Sequence, residues 1–366
     1  MKLLCEQECF EEANIFLRRA VEIEPKLIER LEQLLRQRTS EQVLTDWEQE
    51  QIRGKALTKN IPHAASDLTV NSKTTDVRLI AFYLPQYHPI PENDKWWGKG
   101  FTEWTNVTKA KPLFKGHYQP HLPADLGFYD LRLPEVREAQ ADLAKRYGVY
   151  GFCYYYYWFN GKRLLEYPLD DMLTSGKPDF PFCICWANEN WTRRWDGLEQ
   201  EILIAQEYSD GSYQDFAESL IPYLSDPRYI RVQGHPLILV YRIAHLPKPK
   251  EAISIWRQVF RERGIGEVHI AGVLGFGLHN PVELGCDSGV QFPPNSISSF
   301  PLSMPELVSN NNFSGAVHDY KQAGINTLKE KFPDYQLFPT IMTSWDNTAR
   351  RQKNATVWLN SETRKL

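Results

Sequence analysis

After residue 76 the chain carries seven short apolar runs, and most of them end in an aromatic or polar cluster. The runs are Val77–Leu84, Val149–Trp158, Phe182–Ala187, Pro236–Tyr241, Val268–Leu274, Ser288–Phe292 and Tyr335–Thr343. Helical patterns separate several of them, at Pro134–Tyr147, Ser212–Leu224 and Pro249–Arg263. Continuous apolar strands alternating with helices are buried on both faces, which indicates a parallel sheet. A doubly wound sheet concentrates its polar residues at one switch point. Here they gather at the C-terminal end of strand after strand, which predicts an α/β fold of the (β/α)8 TIM-barrel type. Such a barrel needs eight strands. About 19 residues follow Asn347 and contain no further apolar run, so strand eight is expected to be absent. An open barrel exposes two sheet edges, which predicts poor solubility or a partner that completes the sheet.

Residues 1–57 read as helical. Phe10, Ala13, Leu17, Ala20 and Pro25 have the spacing of the second helix of a tetratricopeptide repeat, whose first helix would need residues before Met1. An ordinary amphipathic hairpin fits the same residues. Either form makes an α-helical extension through which a protein partner could dock. Residues 58–75 are polar, rich in Ser and Thr, and read as a linker, leaving 76–366 for the barrel.

A chain of 366 residues can hold one large domain plus an appendage. A net charge of −4 argues against nucleic acid as the main partner, because that would call for a basic surface. Eleven Trp and 18 Tyr suit carbohydrate contact, although large cores and protein interfaces use aromatics too. The six Cys stand at 5, 9, 153, 183, 185 and 286, without zinc-ligand spacing. Small buried thiols in a reducing compartment account for them, and no metal or cofactor is expected. The N-terminus lacks the apolar centre of a signal peptide, and no apolar stretch reaches ~18 residues. The expected location is cytoplasmic, without a transmembrane segment. Phosphate-binding glycine loops and nucleophile elbows are absent from the sequence.

Residues 183–197, CICWANENWTRRWDG, carry the densest chemistry. An apolar run stops and releases Asn188, Glu189, Asn190, Trp191, Arg194, Trp195 and Asp196. Indole planes stack on the C–H face of a pyranose, amides and guanidiniums bond its hydroxyls, and a carboxylate handles protons. Glu189 is the candidate catalytic carboxylate, with binding as its more expected role and an ion pair to Arg193 or Arg194 as the alternative. Tyr83, Gln86, Tyr87 and His88 follow the first strand, and Glu103 and Trp104 lie in the long excursion after it. Tyr154–Tyr157 alternate sides if extended, and Tyr157 and Trp158 lie nearest the mouth. Arg242 ends the fourth strand, where it could grip a phosphate or carboxylate or pair with a neighbouring acid. Trp345, Asp346 and Asn347 close the seventh, with Asp346 also a candidate helix cap.

The segments YLPQYHPIPENDKWWGKGFTEWTNV (83–107), GFCYYYYWF (151–159), WANENWTRRWDG (186–197), QFPP (291–294) and SWDNTARR (344–351) resemble the WbsX-type glycosyltransferase family, also described as a glycoside hydrolase family 99-like domain. The likeness covers residues 77 to about 360. It implies a TIM-type barrel acting on bacterial cell-surface polysaccharide, in O-antigen, lipopolysaccharide or capsule biosynthesis. It also implies endo-mannosidase-like carboxylate acid/base chemistry from two Glu three apart, in a NEWAEG-like sequence at the end of a further strand. No Glu-x-x-Glu at a strand end stands here. Transfer, cleavage and glycan binding without turnover all stay open on the sequence.

Overall fold

A computed structural model describes residues 2–4, 77–114, 117–193, 198–297, 299, 301–302 and 313–359. Seven strands lie side by side and parallel: β1 (Arg78–Tyr83), β2 (Val149–Phe159), β3 (Phe182–Trp186), β4 (His235–Val240), β5 (His269–Val273), β6 (Ser288–Val290) and β7 (Leu337–Phe338). Their order in the sheet is their order in the chain, as a singly wound barrel requires. Each strand falls on one of the seven apolar runs, with β2 and β4 overrunning theirs by one residue. Helices α1 (Pro91–Trp97), α2 (Glu103–Lys109), α3 (Pro134–Arg146), α4 (Tyr167–Ser175), α5 (Ser212–Leu224), α6 (Pro249–Glu262), α7 (Tyr320–Lys329) and α8 (Thr348–Arg351) occupy the connections.

The physical reason for the curl is the two-sided burial of the strands. On the outer face Trp186 stacks on Phe216 of α5 at 4.0 Å and meets Trp256 of α6 at 5.9 Å. Helix α6 begins on Pro249, whose missing N–H costs nothing at a helix start. Its buried Ala252, Ile253, Trp256, Val259 and Phe260 form one stripe of helical period against the sheet. On the inner face the register runs Phe82 to Cys153 to Cys183 across three strands, and Tyr155 to Cys185 to Leu239 to Ala271 across four. Small thiols on β3 leave room for the rings of its neighbours. Phe82, Tyr155, Tyr241 and Phe292 fill that room as a closed ring, with successive centroids 5.6, 6.0, 5.2 and 5.3 Å apart. The contact of Phe82 with Phe292 spans the interior from β1 to the end of β6, so the sheet is curled into a partial TIM-type barrel.

Two expectations need correction. Residues after Asn347 do contain an apolar strand, Thr356–Leu359, with Val357, Trp358 and Leu359 buried. It pairs in parallel with Ala316–Asp319 in a separate two-stranded sheet. Four residues are too few to stand out as a periodic signal. Among the described residues no eighth parallel strand joins the main sheet. Within the helical reading of residues 1–57, only Lys2–Leu4 is described. That stretch is extended, antiparallel to β1 from Ile80 back to Arg78. The rest of that segment, the repeat-like fragment and the linker lie outside the described residues.

Replacing Phe292, which is 8 % exposed, with Ala should remove one side of the inner ring. A loss of about 3 kcal/mol in unfolding free energy is expected by denaturant titration, at the low end for a buried Phe→Ala change.

Candidate functional site

The inner aromatic ring is a floor, and polar groups stand over it at the C-terminal ends of the strands. On one side Tyr155 leans on Tyr157, 6.3 Å away, whose phenol oxygen accepts a hydrogen bond from Gln86 Nε2 at 3.2 Å. The backbone carbonyl of Gln86 accepts the amide N–H of Glu103 at 3.2 Å, which ties the loop after β1 to the start of α2. Glu103 is 3 % exposed and would be costly to bury alone. Arg350 of α8 meets it with two bonds, Nη2 to Oε1 at 2.7 Å and Nε to Oε2 at 3.2 Å. Tyr87 lies in the same field; burial, and then the Glu103 charge, raise the pKa of its phenol. Burial likewise raises that of Tyr157. Trp191 closes this side, 5.6 Å from both Tyr157 and Trp96.

On the other side the ends of β3 and β4 are tied together. Asn188, fully buried, donates from Nδ2 to the Arg242 carbonyl at 2.9 Å and accepts the Arg242 N–H at 2.8 Å. This pair of hydrogen bonds to the backbone brings the side chains of Glu189 and Arg242 into range. Glu189 Oε1 lies 3.6 Å from Arg242 Nη1. Arg242 donates from Nη2 to His245 Nε2 at 2.8 Å, and its guanidinium carbon lies 4.0 Å from the centroid of Phe276. Burial, and then the Arg242 charge, lower the pKa of His245, so the imidazole accepts as a neutral ring.

A third group secures the C-terminal loop. Asp346 Oδ2 receives Gln119 Nε2 at 2.6 Å and His117 Nε2 at 2.9 Å, with His121 Nε2 at 3.6 Å. Its Oδ1 accepts the N–H of Thr348, the first residue of α8, at 2.8 Å, while the N-cap position itself is Asn347. Burial works against ionisation here, but the bonds from His117, His121 and Thr348 prevail and hold the carboxyl well below the usual range. Two imidazoles and a carboxylate suggest a metal, yet the Leu113 N–H donates to His117 Nδ1 at 3.0 Å. The proton of that ring therefore sits on Nε2, facing Asp346, where a metal would need a lone pair. Among the described residues no group of three or more His, Cys, Asp or Glu is placed to hold a metal ion.

Several candidates stand elsewhere. Tyr83 turns to the helix layer and donates to Gln140 of α3 at 2.5 Å. Trp158, 2 % exposed, packs outward on Phe216 and Trp186. Both point away because side chains alternate along a strand: Phe82 holds the inward phase of β1, and Tyr155 and Tyr157 that of β2. His88, 1 % exposed, is buried near Asp130 and Arg132, and burial lowers its pKa to about 4. Trp104 braces the long loop through its Nε1–H to the Tyr129 carbonyl at 2.8 Å. Asn190 is exposed, and its Oδ1 accepts the Gln206 N–H at 2.7 Å. Trp345 packs with Ala323, Met342 and Trp358 in a separate cluster. Asn347 Oδ1 accepts the Thr356 N–H at 2.7 Å. Arg194, Trp195 and Asp196 lie outside the described residues. The sequence reading passed over Tyr155, His245, Phe276, His117, Gln119, His121 and Arg350. Strand alternation would have found Tyr155 beside Tyr157. Arg350 stands in the SWDNTARR segment, but only the fold carries it to Glu103.

Two variants test these pairings. Arg350→Met would leave Glu103 buried without its counter-charge. A loss of about 2 kcal/mol is expected in denaturant titrations, below the figure for a fully buried pair because Arg350 is 37 % exposed. Asp346 has a depressed folded-state pKa, so its stabilisation is complete above the unfolded carboxylate value of about 4 and is lost as pH falls below it. The melting-temperature gap between the unmodified protein and Asp346→Asn should therefore be constant above about pH 5 and shrink as the pH falls from there towards about 2.

The profile of the family described as "Glycosyltransferase WbsX" matches residues 79–366. Two relatives from strains of Xanthomonas campestris pv. campestris, both described as "Uncharacterized protein WxcX", are each 43% identical over 332 residues. The match covers 87% of this chain and 48% of the relatives, so the chain spans about half their length. Among solved structures, a "Glycoside hydrolase-like protein" has a TM-score of 0.38 at 14% identity, over 59% of this chain and 58% of that one. A GH99 endo-alpha-mannosidase from Bacteroides thetaiotaomicron has 0.39 at 15%, over 60% and 63%. With the profile matching the whole of the chain beyond residue 78, the chain belongs to the WbsX glycosyltransferase family.

Proposed function

We propose that the chain is a carbohydrate-active barrel that holds a glycan over its aromatic floor and transfers or cleaves a glycosyl unit by carboxylate acid/base chemistry. Its substrate is a bacterial cell-surface polysaccharide or a precursor of one. One observation carries this reading. Two arginine–carboxylate pairs stand around a floor of aromatic rings, Glu189–Arg242 at the ends of two neighbouring strands and Glu103–Arg350 between two helices beside the loop after β1. Rings take the apolar face of a sugar, and fixed charges take its hydroxyls. Family membership supports the same class of substrate. On this reading the barrel is of the eight-stranded kind and begins near residue 76, after a linker at 58–75. The segment before it docks a partner, and the protein works in the cytoplasm.

The second reading is binding without turnover. It is favoured by the two ion pairs themselves, since carboxylates gripped by guanidiniums are placed to orient a ligand rather than to exchange protons with it. Titration of the full chain with mannotetraose, cellotetraose and maltotetraose should change Trp fluorescence for at least one of them. Glu189→Gln should weaken that binding about tenfold, the scale of one charge-assisted hydrogen bond. An unchanged signal with all three sugars in a well-folded sample would overturn both readings. Release or transfer of labelled sugar separates the enzyme from the binder.

A further inference from the structure

The loop after β5 carries no residue of the sequence-based site, yet it presents the most unusual side chain at the rim. Gly275, Phe276 and Gly277 follow one another with φ of 118°, 57° and 86°. Gly275 and Leu278 exchange backbone hydrogen bonds at 3.1 and 3.4 Å, which makes the four residues a tight turn. Both central positions therefore lie in the left-handed region, where Gly, Asn or Asp is the unstrained choice. A Phe there carries a conformational cost that a local folding role does not require. The side chain is also 46 % exposed, while its edge meets Tyr241 of the floor at 5.8 Å. Arg242 lies 4.0 Å from the ring centroid, and the same guanidinium is held by His245 and paired with Glu189. The ring is thus fixed in plane by a residue that is itself fixed, with Arg242 over one face and nearly half of the residue open to solvent.

We propose that Phe276 is a stacking platform for a pyranose unit of the glycan, adjacent to the unit held by Glu189 and Arg242. This rests on the carbohydrate reading of the site and adds a specificity-determining residue to it. A planar ring held rigid before binding loses little freedom when a sugar settles on it, and the C–H face of a hexose matches it in shape and polarity.

The test uses the full chain and whichever of mannotetraose, cellotetraose and maltotetraose it binds. Phe276→Asn suits the turn but removes the ring; it should keep the melting temperature within about 2 °C while weakening the tetrasaccharide about tenfold. Phe276→Trp restores a ring and should bind within about threefold of the unmodified protein. The matching disaccharide, too short to reach both units, should lose less affinity on Phe276→Asn than the tetrasaccharide does. Unchanged tetrasaccharide affinity in Phe276→Asn, with Glu189→Gln weakened, would overturn the platform and leave the glycan site standing. A fall in melting temperature of several degrees, with binding lost equally for both sugar lengths, would assign Phe276 to propping Arg242 and overturn it as well. If the unmodified protein binds none of the sugars, the platform and the glycan site fall together.

Discussion

The contact that the rest of the site depends on is the ring of four aromatic side chains inside the curled sheet. Phe82 and Tyr155 come from β1 and β2, Tyr241 and Phe292 from just past β4 and β6, and the four touch in a closed circuit. Hydrogen bonds along the sheet join neighbours only, whereas Phe82 and Phe292 join strands on opposite sides of the interior. Burial of such rings is non-directional and strong, roughly 25 cal/mol for each Å² of apolar surface removed from water. It can therefore hold a curled sheet to one curvature. Tyr157 with Gln86 leans on Tyr155, and Arg242 with Phe276 follows from Tyr241. A change in the floor would tilt both polar groups at once.

Above the floor, charge is placed in opposed pairs. Glu103 is buried and answered by Arg350 from the far end of the domain, 247 positions along the chain. Glu189 is answered by Arg242, which comes within reach because Asn188 binds the backbone at that strand end. Charges set near low-dielectric walls act strongly, and an unpaired one is costly to bury. The pairing thus lets the site keep guanidiniums and carboxylates together without losing the fold. The third carboxylate, Asp346, holds the loop that delivers α8, and through α8 it positions Arg350. Residues as distant as His117 and Arg350 act on one constellation by this route.

Much of the architecture was legible in the residues. Seven apolar runs became seven adjacent strands, and Pro134, Ser212 and Pro249 opened the expected helices. Glu189 and Arg242 stand just past strand ends, and the curl of the sheet brings Glu189 within reach of Arg242, a partner that spacing in the sequence does not mark. Trp158 was misplaced because nearness to the mouth was weighed above the phase of the strand. Tyr83 turns outward for the same reason of strand phase, since Phe82 points inward on β1, whereas His88 lies past the strand end, where loop packing decides which way it turns. Arg350, His117 and Phe276 escaped notice for another reason. Their partners lie far away in the chain, so no local pattern marks them.

By itself the sequence determined the strands, the helices and the rows of polar residues after them, because strand and helix periods and two-sided burial are local properties of side chains. Tertiary structure alone decided which of those residues meet. The curl of the sheet chose the inward phase of Tyr155 and Tyr157, drew Arg350 to Glu103, and set Phe276 over Arg242. Each of these contacts joins segments separated by tens to hundreds of residues. Their energy comes from burial and charge pairing that exist only once the strands have come together.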